Sequence, residues 1–298
     1  MCGIVGLFLK DKALEPRLGE MLSEMLITMT DRGPDSAGIA IYGQHKKGRT
    51  KLTVQSEGGR TDYASLRGDL AISLGTDITV AVNDTHAVIY ISEEYTQQLR
   101  ELLADKHTNI RVISQGDRIE IYKEVGLPGQ VTKRFHIPSM AGSHGIGHTR
   151  MATESAVTTD GAHPYSTGPD QCLVHNGSLS NHNALRRKLT RNGIEIESEN
   201  DTEVGAAYLT WKMSQGDSLG AALESCLKDL DGFFTFVVGT KDGFGVLRDP
   251  IACKPAVLAE TDQYVAFGSE YRALVNLPDI EYARVWEPEP ATVYFWSH

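Results

Sequence analysis

The hydrophobic positions of this chain form short continuous runs near its ends and helical stripes between them. Residues 2–9 are an apolar run with glycine interruptions, which predicts a buried strand beginning at the second residue. A second apolar run at 37–42 follows a polar turn at 31–36. Between these runs, apolar residues recur every three or four positions, as on one face of a helix: Leu18, Met21, Leu22, Met25, Leu26 and Met29.

The pattern changes between residues 45 and 139. The basic segment 46–51 is predicted to be a solvated hairpin. Short β-like runs and one helical stretch then alternate, at 78–82, 87–91, 93–104, 110–113 and 118–123. We therefore predict a small inserted α/β subdomain at 45–139, with residues 1–44 and 140–298 forming one split domain around it.

The remainder of the chain predicts helices followed by strands. Helices are expected at 181–191, 202–214 and 218–227, and strands at 171–175, 233–239, 245–247, 256–259, 264–268 and 291–296. Strands near both ends with helices between them indicate stacked sheets covered by helices, in which the terminal strands pair centrally.

Composition excludes several classes of partner and location. Among 298 residues, 41% are hydrophobic and 23% charged, which is typical of a folded enzyme rather than a disordered chain. The net charge of −10 disfavours nucleic acid and anionic membrane as partners. Neither a spanning segment nor a secretory signal is evident, so a cytoplasmic protein is expected. Cys172, Cys226 and Cys253 are widely spaced and are predicted to be buried thiols.

Cys2 differs from the other cysteines because it follows the initiator methionine. Removal of Met1 would place a thiol and a free α-amine on one residue, and an α-amine titrating near ~7.7–8.0 is able to take the thiol proton. The alternative is that Cys2 is simply a small buried residue at the start of a strand.

Asn176 and Gly177 follow the predicted strand at 171–175. A carboxamide and an exposed backbone N–H at a strand end would supply two donors to an oxyanion. Asn-Gly is also a common hairpin turn, and this alternative stays open.

Arg150 and Asp201 carry the opposite charges that would hold an amino acid by its carboxylate and its ammonium group. The alternatives are a surface ion pair for Arg150 and a helix cap for Asp201.

Two further patterns are interpreted as structural. The segment 216–220 matches Gly-x-Ser-x-Gly, but a helix rather than a strand precedes it, so Ser218 is predicted to be a helix N-cap. His144 and His148 lie four residues apart in a glycine-broken segment that has no acidic partner, and no metal site is predicted.

An ordered set of motifs resembles the class II glutamine amidotransferases. The set comprises Met1-Cys2-Gly3-Ile4-Val5-Gly6, Arg32-Gly33-Pro34-Asp35-Ser36, Gly147-His148-Thr149-Arg150, Ala162-His163-Pro164, His175-Asn176-Gly177, Asp201-Thr202-Glu203, Phe233-Phe234-Thr235-Phe236, Arg248-Asp249-Pro250 and Gly268-Ser269-Glu270. The resemblance implies an α+β protein with the four-layer αββα N-terminal-nucleophile hydrolase fold, with the small α/β subdomain inserted.

The resemblance also implies the reaction. Cys2, once Met1 is removed, would attack the side-chain amide of glutamine and form a γ-glutamyl thioester, with Asn176 and Gly177 as the oxyanion hole. Water would then release glutamate, and the ammonia would be available for transfer. No metal or organic cofactor is expected in this chain for this half-reaction.

The same resemblance assigns roles around the substrate. Arg150 would hold the α-carboxylate of glutamine with support from Thr153, and Asp201 would hold its α-amine. Arg32 would brace the loop of the nucleophile, and His163 would be structural.

The chain departs from the family pattern at a backbone turn and at its end, and the second departure bears on the partner. Ala252 stands where glycine is usual, and the chain ends where related enzymes begin an acceptor domain. With its insertion, the chain resembles the amidotransferase subunit of glutamate-synthase-like systems such as N-methylglutamate synthase. This implies a hetero-oligomer in which a separate synthase subunit carries FMN and an iron–sulfur cluster. The alternatives are a non-catalytic assembly subunit, an amidotransferase for another acceptor, and an amidase for another amide.

Overall fold

A computed structural model describes residues 2–45, 47–57, 61–152 and 157–298. Its strands are, in chain order, β1 (Gly3–Leu9), β2 (Ser36–Tyr42), β3 (Arg49–Ser56), β4 (Thr79–Asn83), β5 (His86–Ser92), β6 (Ile110–Gly116), β7 (Ile119–Val125), β8 (His144–Arg150), β9 (Tyr165–Gly168), β10 (Gln171–Leu179), β11 (Gly232–Thr240), β12 (Gly243–Arg248), β13 (Val257–Glu260), β14 (Tyr264–Gly268), β15 (Arg284–Trp286) and β16 (Thr292–Ser297). Its α-helices are α1 (Leu18–Ile27), α2 (Tyr63–Leu74), α3 (Thr96–Lys106), α4 (Pro128–Arg134), α5 (His182–Arg191), α6 (Asp201–Ser214) and α7 (Leu219–Asp229). Within the described ranges, no helix combines the length and apolar character needed to cross a membrane.

Two sheets pack face to face through the alternating side chains of their strands. The first has the strand order β15-β13-β14-β1-β8-β2-β7, and the second has the order β16-β12-β11-β10-β9. In β1, Ile4 and Phe8 point into the core between the sheets, whereas Val5 and Leu7 point to the opposite face. The strand is buried on both faces, which explains why it is a continuous apolar run in the sequence.

Helices cover the outer face of each sheet and complete the predicted four layers. α1 and α4 pack on the seven-stranded sheet, and α5, α6 and α7 pack on the five-stranded sheet. The predicted apolar stripe of α1 is fully buried, and each such Leu or Met side chain contributes about 1.5–3 kcal/mol. The αββα architecture is therefore confirmed.

The residues of a third sheet lie, along the sequence, between the two segments that form the sandwich. Its four antiparallel strands have the order β4-β5-β3-β6, and α2 and α3 supply the crossovers. The element order β-α-β-β-α-β with this pairing is the ferredoxin-like, or split βαβ, arrangement. The sheet and its helices bury a separate apolar cluster, so this unit has a core of its own.

Strand pairing bears on the extent of the insertion. The separate sheet spans residues 49–116, whereas β7 pairs with β2 at the edge of the seven-stranded sheet. α4 packs on α1 in the same layer. Both elements fall inside the segment 45–139 that the sequence assigns to the insertion. The insertion at 45–139 therefore stays a prediction. The strand pairing shows only which strands share a sheet.

Two helices of the fold are not apparent in the sequence. In α2 the buried residues are Tyr63, Leu66 and Leu70, while Ile72 on the same helix is 84% exposed, so no single apolar face stands out. α4 has only seven residues and begins with Pro128 and glycine, which are poor helix formers. Tertiary packing rather than local pattern determines both helices.

Three further expectations are corrected by the structure. Lys51 is not solvated: it lies in β3, is 4% exposed and forms an ion pair with Glu120 at 2.8 Å. Cys253 is exposed rather than buried. The C-terminal strand β16 lies at the edge of its sheet, although β1 is central as predicted.

Ser218 is confirmed as a helix N-cap. Its side chain accepts a hydrogen bond from the backbone N–H of Ala221 at 3.2 Å, at the start of α7. Because α6 precedes it, the strand required for a nucleophile elbow is absent from this described part of the chain.

Candidate active site

Cys2 lies half-buried immediately before β1, at one end of the sandwich. Its carbonyl oxygen accepts two hydrogen bonds, from Nε of Arg32 at 3.0 Å and from Nδ2 of Asn176 at 3.2 Å. Two residues that are far apart in the sequence therefore converge on the candidate nucleophile. Met1 and Thr153, whose roles the resemblance also predicts, lie outside the described residues.

Arg32 and the segment 268–270 hold the start of β1 in place. Arg32 is 9% exposed, and its Nη1 forms an ion pair with Oε1 of Glu270 at 2.6 Å. The hydrogen bond from Arg32 lowers the pKa of Glu270, outweighing partial burial, which raises it. The neighbouring Ser269 accepts a hydrogen bond from the backbone N–H of Ile4 through its Oγ at 2.9 Å. Ser269 and Glu270 belong to one of the sequence motifs, but no role was predicted for either residue.

The loop that carries Arg32 also fixes the end of β8. A Cβ atom on Gly33 would lie 2.6 Å from backbone atoms of Thr149 and Arg150, so only glycine permits this approach. Asp35 donates its backbone N–H to the carbonyl oxygen of Arg150 at 3.1 Å and accepts from the N–H of Ala152 at 2.7 Å. A single loop therefore sets the positions of both Cys2 and Arg150.

Arg150 is adjacent to Cys2 across the sheet. β1 and β8 are antiparallel with Gly3 opposite Thr149, so the residues that follow in this register are Cys2 and Arg150. Arg150 is 8% exposed, so it is a buried residue and not one at the surface. Its guanidinium packs on Gly161, where an added Cβ would lie 2.7 Å from Nη1.

Asn176 and Gly177 lie inside β10, which continues to Leu179, so the hairpin-turn alternative is wrong and the predicted strand end is displaced. Gly177 has a φ of +151°, and a Cβ there would lie 2.0 Å from the carbonyl oxygen of Phe233. Asn176 is 4% exposed, and its Nδ2 carries a second hydrogen besides the one directed at Cys2.

Asp201 is the first residue of α6, and Asn200 rather than Asp201 is the N-cap. Oδ2 of Asp201 accepts a hydrogen bond from the backbone N–H of Leu179 at 2.9 Å. Oδ1 of Asp201 lies 3.6 Å from Nδ1 of His175. Burial raises the pKa of Asp201, but the interactions with His175 and Leu179 outweigh it and the net shift is downward. The carboxylate is therefore ionised at neutral pH and is able to pair with an ammonium group.

A chain of histidines links these strands, and only His163 among them was given a supporting role from the sequence. Nε2 of His148 lies 3.2 Å from the carbonyl oxygen of His175, and Nδ1 of His175 lies 3.1 Å from Oγ1 of Thr202. Thr202 Oγ1 is in turn 3.2 Å from Nε2 of His163, whose ring stacks on His148 at 4.0 Å. Burial lowers the pKa of His148 to about 3, so this imidazole is neutral. Each of these histidines belongs to one of the sequence motifs named above, and this membership could have indicated a role in the site.

His163 precedes Pro164 across a cis peptide bond. Burial lowers the pKa of His163 well below its usual value. A neutral, stacked and buried ring in contact with Thr202 ties the segment before β9 to the start of α6.

Together these contacts assemble a thiol, a carboxamide donor, a guanidinium and a carboxylate around one end of the sandwich. The strand ends of β1 and β8, the middle of β10 and the first turn of α6 each supply one group. This combination suits covalent chemistry on an amide of an amino acid.

Comparison with solved structures defines the fold. Glutamine phosphoribosylpyrophosphate amidotransferase from B. subtilis, in complex with ADP and GMP, superposes over 99% of this chain with a TM-score of 0.61 and 19% identity. This chain spans 47% of the length of that one. The fold is therefore that of the N-terminal-nucleophile hydrolases.

Comparison of sequences defines the family. A sequence profile described as "Glutamine amidotransferase domain" matches residues 148–276. The glutamine amidotransferase-like protein GlxB of Rhizobium meliloti (strain 1021) is 68% identical over 298 residues, which cover 100% of this chain and 99% of GlxB. A putative glutamine amidotransferase of Methanothermobacter thermautotrophicus is 35% identical over 99% of both chains. This chain belongs to the glutamine amidotransferase family and is homologous to its class II members.

Proposed function

We propose that this chain hydrolyses glutamine to glutamate and ammonia with Cys2 as the nucleophile. The observation that supports this most directly is the convergence of Arg32 and Asn176 on the carbonyl oxygen of Cys2. A residue with no role beyond starting a strand needs no such pair of buried polar side chains on its backbone.

In the proposed reaction, the α-amine that Met1 removal exposes takes the proton of the Cys2 thiol, and the thiolate adds to the δ-carbon of glutamine. The negative charge moves to the amide oxygen, where the second N–H of Asn176 and the backbone N–H of Gly177 stabilise it. The protonated α-amine then gives its proton to the leaving nitrogen, and ammonia departs. Water attacks the γ-glutamyl thioester that is left, which releases glutamate and restores the thiol.

Arg150 and Asp201 are proposed to bind the other end of the substrate. A guanidinium pairs with a carboxylate through two parallel hydrogen bonds, and the ionised carboxylate of Asp201 pairs with the α-ammonium group. Thr153 is proposed to support Arg150. Arg32 donates to the backbone of Cys2 and His163 contacts the hydroxyl of Thr202, so both are proposed to support the site rather than to touch the substrate.

We further propose that the ammonia passes to a separate subunit resembling glutamate synthase, of the N-methylglutamate synthase type. FMN and an iron–sulfur cluster are expected on that subunit, and none is required here for amide hydrolysis. The support for this assignment is the resemblance of the chain, with its insertion, to the amidotransferase subunits of glutamate-synthase-like systems.

Two cysteine variants test the nucleophile. Cys2→Ala is expected to reduce glutamate release from glutamine by at least about 10³-fold, as loss of a nucleophile does in other covalent hydrolases. Cys253→Ala removes an exposed thiol by the same substitution and serves as the matched control, with unchanged activity expected. Equal activity of the two variants would exclude Cys2 as the nucleophile.

Intact mass measurement tests the proton acceptor. An active preparation should lack Met1, and an active species that retains it would exclude the α-amine as the base. If the wild-type chain releases no glutamate, either alone or with its copurifying partner, the chain is an assembly subunit instead.

A further inference from the structure

A polar cavity of about 570 Å³ lies between the inserted sheet and the sandwich. β6 and α3 form one wall, and β9 with residues 193–198 forms the other. Its volume is within the range of sites that hold small metabolites, about 300–1,000 Å³. Among the residues that the structure describes, none of those proposed for glutamine hydrolysis lines it.

The side chain of Lys123, from β7, reaches this cavity from inside the protein. Lys123 is 5% exposed, and its Nζ donates to the carbonyl oxygen of Ala162 at 2.8 Å and lies 4.6 Å from the ring of Tyr165. Across the described ranges, no carboxylate forms an ion pair with it. Burial lowers the pKa of Lys123 to about 7, assisted by the charge of Arg111. An anion beside it would stabilise its charged form.

Arg100 adds a second positive charge to the same cavity. Its one described contact is a long hydrogen bond from Nη1 to Oε1 of Gln115, at 3.4 Å, and no carboxylate of the described segments forms an ion pair with it. Two cations that form no ion pair with any described carboxylate therefore line one polar cavity.

Two further carboxylates of the cavity wall, one buried and one partly exposed, already have partners. Glu203 accepts from the N–H groups of Glu197 and Ser198 and from the Ser198 hydroxyl, and Asp160 forms an ion pair with Arg111. Glu195 and Glu197 are exposed and form no ion pair with Lys123 or Arg100 in the described structure, although the charges of Glu197 and Glu203 partly oppose the lowering of the Lys123 pKa.

Ser114 provides an independent observation. It lines the cavity from β6, is 3% exposed, and its Oγ has no hydrogen-bond partner among the residues that the structure describes. A buried hydroxyl without a partner is unfavourable, and a ligand that accepts from it would remove that cost.

We propose that this cavity binds a small organic anion with a carboxylate or phosphate group, held by Lys123, Arg100 and the hydroxyl of Ser114. The proposal concerns a site separate from that of glutamine and does not depend on the proposed hydrolysis.

Binding of an anion in the cavity would also affect the candidate active site. Lys123 and Arg111 hold the segment at Asp160 and Ala162, which runs from Arg150 to His163. An anion that attracts these two cations competes with their contacts to this segment. We therefore expect a bound anion to change the KM for glutamine, and this second consequence rests on the proposed function.

The test is calorimetric titration of the full chain with succinate and, separately, with inorganic phosphate at constant ionic strength. Binding of at least one probe with a Kd of about 1 mM or tighter is expected. Tighter binding of succinate identifies a carboxylate ligand, and tighter binding of phosphate identifies a phosphorylated one. Absence of binding by both overturns the proposal.

Matched variants locate the binding. Ser114→Ala removes a hydroxyl that bonds to nothing in the described structure, so the variant should fold normally and bind the probe about ten-fold more weakly. Ser23→Ala removes another buried, unpartnered hydroxyl, in α1 and away from the cavity, and should bind as the wild type does. Equal affinity of the two serine variants would overturn the assignment of Ser114.

A second pair tests the charge. Arg100→Gln should weaken binding of the probe, whereas Arg67→Gln removes an exposed charge elsewhere in the same subdomain and should not. Equal weakening in both variants would mean that only net charge matters and would overturn the site. The coupling between the two sites is tested by measuring glutamate release with and without the probe. If the probe binds and the KM for glutamine is unchanged, only the coupling is refuted. If the probe binds and no glutamine is hydrolysed, only the proposed function is refuted.

Discussion

Glycines are used differently at the catalytic end of the sandwich and in the helix α2 of the inserted unit. At the catalytic end, a Cβ on Gly33 or Gly177 would collide with backbone at 2.6 Å or less. In the inserted unit, a Cβ on Gly68 or Gly75 would meet nothing within 4 Å. The catalytic end is therefore fixed by close approach of backbone segments, which determines residue identity. The inserted unit depends instead on its own apolar cluster and on its attachment to the sandwich.

The largest expected effect would come from placing a Cβ at the catalytic end. Gly177→Ala combines a positive φ with overlap on Phe233, and we expect a loss of about 3 kcal/mol or more in the free energy of unfolding, measured with urea. Gly75→Ala is the matched control, because Gly75 also has a positive φ, of +63°, but open space around it. It should cost only about 1 kcal/mol. Similar losses in both variants would contradict the comparison.

The attachment of the inserted unit depends on Asp170. Its carboxylate accepts from the backbone N–H groups of Asp117, Arg118 and Ile119 at 2.7, 2.7 and 3.0 Å, in the turn between β6 and β7. Asp170 is 4% exposed and has a φ of +51°, a conformation that asparagine also tolerates. Asp170→Asn should therefore keep the backbone and lose about 2 kcal/mol of stability.

The loss in Asp170→Asn should appear first as faster amide hydrogen exchange in β6 and β7. Asp242→Asn, in an exposed turn, is the matched control and should change stability by no more than about 0.5 kcal/mol. Faster exchange confined to the strands of the five-stranded sheet would count against Asp170 as the anchor.

The smallest expected effect concerns Ala252, which stands where the family resemblance predicts glycine. Its φ is +51°, in the left-handed region that favours glycine, and Ala252→Gly should stabilise the protein by about 1 kcal/mol in thermal unfolding. Ala283→Gly, at a residue with φ of −69°, should instead destabilise by about 0.5–1 kcal/mol. Changes of the same sign in both variants would remove the argument from backbone strain.

Much of the candidate site was accessible from the sequence because its residues stand in short ordered motifs. Cys2, Arg150, Asn176 and Asp201 were each singled out by their side-chain chemistry, and the structure brings them to one end of the sandwich. The role of Asp170 could not be predicted from the sequence, because an aspartate before a strand is typical of any turn. Its three hydrogen-bond donors are backbone N–H groups about fifty residues away, which only the fold brings close.

The sequence by itself determined the buried strand β1, the packed face of α1 and the family, because local periodicity and ordered motifs are properties of neighbouring residues. Only the tertiary structure decided that Asn176 lies inside a strand, that β7 joins the seven-stranded sheet, and that Lys123 and Ser114 line one cavity. These facts depend on contacts between segments tens to hundreds of residues apart, and no local pattern encodes such pairings.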